Sequence, residues 1–269
     1  MRKKHIFLFL MVCIGLSFAF IVALIGYSYT SFVDVMSSSD MQPIYTKSDS
    51  DSLIDNFELL PSISYGEDVF RYDYVRVEPG SRVELINNFN SQLKSHEIAE
   101  QYNCQNLVNG GFYTKDNKPL GGYYDSSGWV REFNQNPLID GVVFFKNGRL
   151  EIGIGEVVSG DWALQTGPLL VYERLATVLK IKDDKYARRI VAAKHKNGDV
   201  YLFAIVGDDS VYVGPLLADL PSVMLEIADE MDLEWQNVVN LDGGSASAFI
   251  GDDFSLLERT WIGSALCVL

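Results

Sequence analysis

Two stretches of this 269-residue chain carry residues whose types and spacing suit chemistry. The first is Asn240-Leu241-Asp242-Gly243-Gly244-Ser245-Ala246-Ser247. The apolar run at 235–239 reads as a buried strand, so an acid stands at a strand end before two glycines and two serines. Glycines let the chain turn sharply and approach a ligand closely, because no Cβ intervenes. Successive N–H groups in such a turn can form an anion-binding concavity, and Ser245 and Ser247 add hydroxyl donors. A carboxylate beside an anion is unfavourable unless it works on a proton or a cation. The second stretch, Asn109-Gly110-Gly111-Phe112, repeats the pattern at the end of another apolar run. Plain turn chemistry, with Asp242 bonding its own backbone, accounts for either stretch alone. Two in one domain point to a shared site.

Arg188-Arg189 opens a third candidate, since a guanidinium matches phosphate oxygens with two parallel bonds. A solvated surface pair is the alternative. Gln165 lies in a polar turn ahead of Gly167-Pro168 and a buried strand, and joins the substrate-binding candidates. His5, His96 and His195 are isolated, and no Cys or His grouping has zinc spacing. A histidine-based triad is therefore not expected. The only cation that Asp242 suits is one taking oxygen ligands, calcium or magnesium, and the sequence leaves that open.

The elements that must position these residues begin after a distinct leader. Residues 1–5 hold Arg2, Lys3 and Lys4, and residues 6–27 carry no charge. Those 22 positions would span roughly 33 Å as a helix, enough to cross a bilayer. The reading is a cytoplasmic stub (1–5) and an uncleaved transmembrane signal anchor (6–27), with all that follows on the extracytoplasmic side. Ser- and Asp-rich residues 28–62 read as a polar stalk whose far end, 53–60, packs a short helix on the domain. Removing three basic residues from a net charge of -14 leaves the exported part near -17. Such a surface repels nucleic acid and anionic lipid. Any phosphate site must gather positive charge locally.

Residues 63–269 read as one domain. Strands are expected at 72–77, 82–86, 105–109, 141–145, 150–154, 188–193, 200–206 and 262–269. Helices are expected from an Asn90-Ser91 cap to about 102, and at 221–231, where Val223, Ile227 and Met231 recur at four-residue steps. Residues 114–136 form a long loop or hairpin, and Asn147-Gly148 marks a tight hairpin turn. The fold class is α+β: a single domain of mixed β-sheet with few interspersed helices. Cys104 and Cys267 each abut an apolar run, so a disulfide and two buried free thiols both fit.

Taken in order, Asn109-Gly110-Gly111-Phe112, Gly167-Pro168-Leu169-Leu170-Val171, Arg189 with its hairpin, the helix from Pro221, and Asn240 through Ser245 resemble the phosphodiester glycosidase family across roughly residues 63–269. The resemblance implies hydrolysis of a sugar 1-phosphodiester at the glycosidic bond, releasing free sugar and a phosphomonoester. It places Asn109, Arg189 and Asp242 at polar motif positions and gives Gly110, Gly243 and Gly244 the turns. This chain departs from the family pattern at Ser245, where a third glycine is usual, at Ala246, where the first of two serines is usual, and at 190–193. Ser247 matches the second serine, and Arg188 rivals Arg189. In this reading Asp242 activates water or stabilises the sugar carbon, and arginine with turn N–H groups takes the phosphate. Asn109 and Ser247 orient oxygens. Asp161 and Glu156 are candidates for a second carboxylate. The expected partners are a carbohydrate phosphodiester of the cell envelope or an exopolysaccharide, and the membrane. A non-catalytic glycan-binding module, with Tyr123, Tyr124 and Trp129 as stacking platforms, and a purely structural surface protein are the competing classes.

Overall fold

In a computed structural model the described residues are 57–155 and 160–269. The chain divides into Met1–Ile44 and a compact unit, Tyr45–Leu269, and only the second contains described residues. The stub, the membrane span, most of the stalk and Glu156 therefore lie outside them. Among the described residues no helix is long and apolar enough to cross a membrane.

Strands dominate because the sequence alternates or stays apolar in runs of four to ten residues. β1 (Ser62–Tyr65), β2 (Asp68–Val77), β10 (Leu169–Tyr172), β11 (Leu175–Ala176), β12 (Arg189–His195), β13 (Val200–Gly207) and β14 (Trp235–Asn240) make a seven-stranded sheet. Its order is β1-β2-β13-β12-β14-β10-β11. β13 is buried throughout and β12 nearly so, as strands covered on both faces must be. Successive residues there face opposite layers. Ile190 and Ala192 join the core shared with the other sheets, while Val191 and Ala193 face α2 (Leu220–Glu230).

A second sheet has the order β16-β15-β4-β17-β3, from β3 (Val83–Asn87), β4 (Asn106–Asn109), β15 (Phe249–Ile250), β16 (Ser255–Leu256) and β17 (Ser264–Val268). The third, β6-β5-β9-β7-β8, comprises β5 (Tyr123–Asp125), β6 (Gly128–Arg131), β7 (Gly141–Lys146), β8 (Arg149–Ile154) and β9 (Trp162–Thr166). One core joins Val75, Ile190, Leu202 and Val239 of the large sheet to Val108 and Leu266 of the second and Val143 and Leu164 of the third. α2 covers the other face of the large sheet with Leu220, Val223, Met224 and Ile227. An eleven-residue helix is marginal alone, but each buried aliphatic side chain contributes about 1.5–3 kcal/mol. Tertiary packing therefore decides that helix.

α1 (Ser95–Tyr102) packs Ile98 behind the second sheet, and it starts later than the Asn90-Ser91 cap suggested. The amide of Asn88 bonds both the N–H and the C=O of Leu93 and accepts from Ser91, which folds 88–93 into an irregular turn. The helix is capped instead by Glu258, which accepts the N–H and hydroxyl of Ser95 from across the fold. Cys104 and Cys267 are joined, with Cα atoms 5.2 Å apart, tying the end of α1 to β17. At the amino-terminal edge Phe57 and Leu60 are buried in the main core, so ordered packing begins before residue 63, with a single 3-10 turn at Phe57–Leu59.

Candidate functional site

The two glycine turns meet. β14 delivers Asp242 at its end and β4 delivers Asn109, and the Asp242 N–H donates to the Gly110 carbonyl at 3.0 Å. Asn109 is buried and all of its amide is used within the fold. Its Nδ2 donates to the carbonyls of Asp242 at 2.8 Å and Gly110 at 3.1 Å, and its Oδ1 accepts the Ala248 N–H at 2.8 Å. It therefore locks the turns together rather than facing a substrate. Gly110 is required by crowding. A Cβ there would stand 2.3 Å from Ser264 Oγ and 3.2 Å from Leu164 Cδ2. Gly244 is required by conformation, with φ at +64°.

Asp242 has protein packed closely around it yet keeps some accessible surface. Burial pushes its carboxyl up to about 7, against the opposing effect of the Gly243 N–H, which donates to Asp242 Oδ1 at 2.9 Å. Desolvation disfavours the charged form, and one hydrogen bond does not offset it. A carboxyl that changes state near neutrality is matched to proton transfer.

Two of the N–H donors expected to shape an anion concavity at the turn are taken within the fold. The Gly243 N–H is taken by Asp242 itself and the Gly244 N–H by the Arg188 carbonyl at 2.9 Å. Positive charge comes from the arginines, and the two differ. Arg188 is 2% exposed, and its Nε donates to the Gly244 carbonyl at 2.7 Å, with a longer contact to the Ser245 carbonyl. Arg188 thus braces the turn from beneath. Arg189 sends Nε to the Pro215 carbonyl and one terminal nitrogen to the Lys185 carbonyl, with Asp184 at 3.7 Å. Burial lowers it to about 10 while Asp184 raises it, so it stays a cation at neutral pH. Its other terminal nitrogen, Nη1, has no partner among the described residues and lies 3.7 Å from where a Cβ on Gly243 would stand. Of the pair, Arg189 is the one with a donor left for a ligand.

Ser247 is fully buried and bonds the Arg188 carbonyl, so it supports the turn. Ser245 is partly exposed, and Thr260 approaches its hydroxyl at 3.3 Å. Gln165 is engaged on all sides, holding Gly122, Asn134 and Ile139, and so fixes the 114–140 segment. Asp161 is exposed at the far end of β9 from Thr166, whose hydroxyl reaches the Asn240 carbonyl. The structure thus brings Asn109, Gly110, Asp242, Gly243, Gly244, Ser245, Ser247, Arg188 and Arg189 together. Gln165 borders Gly111 but spends its amide on the 114–140 segment, and Asp161 is exposed.

Sequence reasoning missed the opposite wall. Tyr113 stacks against Trp261 with centroids 4.5 Å apart and donates to the Trp261 carbonyl at 2.6 Å. Burial pushes its phenol up to about 12; the charges of Asp242 and Glu258 add to the rise and a Thr260 hydrogen bond opposes it. That phenol therefore lies within electrostatic reach of the buried carboxyl. The only sequence signal was a Tyr two residues beyond the second glycine. Among the described residues no group of three or more His, Cys, Asp or Glu side chains is placed to hold a metal ion. An open depression of about 420 Å³ between β1 and α2 is lined by Glu226, Asp229 and Glu230 and includes none of these residues.

The fold has counterparts among solved structures. Zebrafish N-acetylglucosamine-1-phosphodiester alpha-N-acetylglucosaminidase, solved as its catalytic domain auto-inhibited by pro-peptide, superposes with TM-score 0.55 at 14% identity, covering 78% of this chain and 86% of that one. A hypothetical protein from Synechocystis superposes with TM-score 0.53 at 13% identity, over 78% of this chain. This chain spans 61% of the length of that protein. At these identities the likeness is one of fold. No curated protein sequence matches the chain. The pattern of the phosphodiester glycosidase family matches residues 102–268, a run that contains both glycine turns, both arginines and the Tyr113–Trp261 wall. That run is more than half of the sequence, and the chain belongs to the phosphodiester glycosidase family.

Proposed function

We propose that this protein hydrolyses the glycosidic bond of a sugar 1-phosphodiester, releasing the free sugar and a phosphomonoester. The observation that carries the reading is the buried carboxyl of Asp242, held near pKa 7, in a turn whose next residue, Gly243, lies against the unspent donor of Arg189. A phosphate leaves a sugar carbon readily because its charge is already delocalised. The site then needs charge stabilisation of the departing group more than a strong acid. Arg189 Nη1 supplies it. As the C1–O bond to phosphate breaks, water adds to C1, and its proton passes to the Asp242 carboxylate. Asn109, Arg188 and Ser247 act as positioning residues that keep the turn rigid.

The uncharged stretch at 6–27 and the Cys104–Cys267 disulfide support a membrane-anchored enzyme facing an oxidising, extracytoplasmic space. An envelope or exocellular glycan carrying sugar phosphodiesters is the substrate class that such a location offers. The zebrafish relative's name makes N-acetylglucosamine the first sugar to try.

The test incubates the purified protein with an N-acetylglucosamine-1-phosphodiester, with and without EDTA, and quantifies free sugar and phosphomonoester. Both products are expected from the wild type and neither from Asp242→Asn. Equal turnover by Asp242→Asn would remove the carboxyl from the mechanism, and loss of turnover in EDTA would bring in a divalent cation. Binding without product favours the glycan-binding module, for which Trp129, 43% exposed and packed on Tyr124 and Phe133, is the available platform.

A further inference from the structure

The segment between β16 and β17 carries side chains that none of the roles above uses. The N–H groups of Arg259 and Thr260 both donate to the Ser245 carbonyl, at 2.7 and 3.0 Å. The segment is thereby pinned to the turn that holds Asp242. Arg259 is exposed, and its guanidinium lies 5.3 Å from the centroid of the Tyr212 ring. Through its side chain it makes no ion pair or hydrogen bond among the described residues, although the protein is strongly acidic. Arg71, Arg76, Arg82, Arg174 and Arg189 each have a carboxylate. Tyr212 belongs to the loop whose Pro215 carbonyl holds Arg189. The Arg259–Tyr212 contact therefore joins the two loops that flank the Asp242 turn, and it sets an unneutralised cation at their rim.

Trp261 presents the complementary chemistry. It is partly exposed and backed by the Tyr113 ring, whose phenol fixes the Trp261 carbonyl. Gly263 leaves the space for that stack, since a Cβ there would stand 2.7 Å from Phe89 and 3.0 Å from Tyr113. A cation and an aromatic plane two residues apart lie within about 7 Å along the chain, the scale of a sugar ring and its phosphate.

We propose that residues 259–261 are the arm that reads the substrate: Trp261 takes the apolar face of the sugar ring and Arg259 takes the phosphate, outside Arg189. The substrate class rests on the glycosidase reading; the division of labour between the two side chains rests on the contacts above. Aromatic faces provide large, rigid contact area, and guanidinium pairs with phosphate oxygens.

The test measures binding of N-acetylglucosamine 1-phosphate and of inorganic phosphate to the full chain by calorimetry. Arg259→Gln is expected to weaken both ligands about tenfold, the lower end for a hydrogen bond to a charged group. Trp261→Ala is expected to weaken the sugar phosphate and leave inorganic phosphate unchanged, and Trp261→Phe to restore the sugar phosphate. Wild-type affinities in both variants, or no binding of either ligand to the wild type, would overturn the proposal. Should Trp261→Ala fail to fold, the exposed Arg259→Gln still decides it. If the binding pattern holds but the phosphodiester yields no free sugar, the arm stands and the glycosidase reading falls.

Discussion

The side-chain amide of Asn109 donates a 2.8 Å hydrogen bond to the main-chain carbonyl of Asp242, so one glycine turn holds the backbone of the other. The same side chain accepts from Ala248, just beyond the turn. Both contacts hold the chain on either side of the carboxyl, and neither touches the carboxyl itself. Replacing Asn109 with Ala leaves the Asp242 carbonyl and the Ala248 N–H without their partner, while the Gly110 carbonyl keeps the Asp242 N–H, and a loss of about 2–3 kcal/mol is expected. Urea unfolding measures it. Turnover should fall through kcat with KM little changed, because the amide meets no substrate; a change confined to KM would contradict the positioning role.

The raised pKa of Asp242 makes a stability prediction with a definite sign. The folded protein holds the proton up to about pH 7, whereas the unfolded chain loses it near the ordinary aspartate value of 3.8. The folded state thus binds more protons between these values, and stability falls as pH rises through that window. Asp242→Asn removes the penalty while keeping an oxygen for the Gly243 N–H. At pH 8 the variant should be more stable by about 2 kcal/mol, reduced from the full linkage because solvent reaches the group. Below pH 4 the two proteins should melt together. Thermal melts at both pH values check this.

Activity should follow the same group. The rate at low substrate is expected to rise with pH through a midpoint near 7 as Asp242 becomes the carboxylate that accepts the proton of water. A pH–rate profile that is flat from 5 to 8 would assign the proton transfer elsewhere.

Gly110 and Ser264 form a testable pair. Gly110→Ala drives a Cβ into Ser264 Oγ at 2.3 Å, in a site where Leu164 blocks relief from the other side. A cost of about 2 kcal/mol is expected. Adding Ser264→Gly removes the collision, and since Ser264 Oγ is buried with no hydrogen-bond partner among the described residues, little is lost with it. The double variant should recover most of the stability, measured as a double-mutant cycle in denaturant.

The Cys104–Cys267 disulfide closes a loop of 163 residues that contains the whole site. Changing both to Ser should cost about 2–5 kcal/mol. Loss of the melting difference between oxidised and reduced wild type would show that the bridge does not form in solution.

The parts of this protein that were legible in the sequence are those governed by neighbours along the chain. The Asn147-Gly148 turn was readable because both residues take positive φ, which few other pairs do, and the strands it joins pair with the register it dictates. The hairpin of β12 and β13 followed from two continuous apolar runs, and the helix α2 from four-residue steps. Both glycine turns were visible because crowding and conformation at Gly110 and Gly244 exclude other residues.

What depended on distant partners could not be read. α1 begins at Ser95 because Glu258, remote in sequence, caps it, while Asn88 uses the preceding residues for a local turn. Arg188 and Arg189 are adjacent and chemically identical, and only packing buries one under the turn and leaves the other a free donor beside Gly243. Ser247 and Gln165 have the hydrogen-bonding groups of substrate ligands but spend them inside the fold. Residues 259–261 carry no motif and became visible only when Ser245 was found to anchor them. The sequence by itself determined the turns, the strands and the identity of the acid. The tertiary structure alone decided that acid's protonation, because desolvation is a property of everything packed around Asp242 and not of its neighbours in the chain.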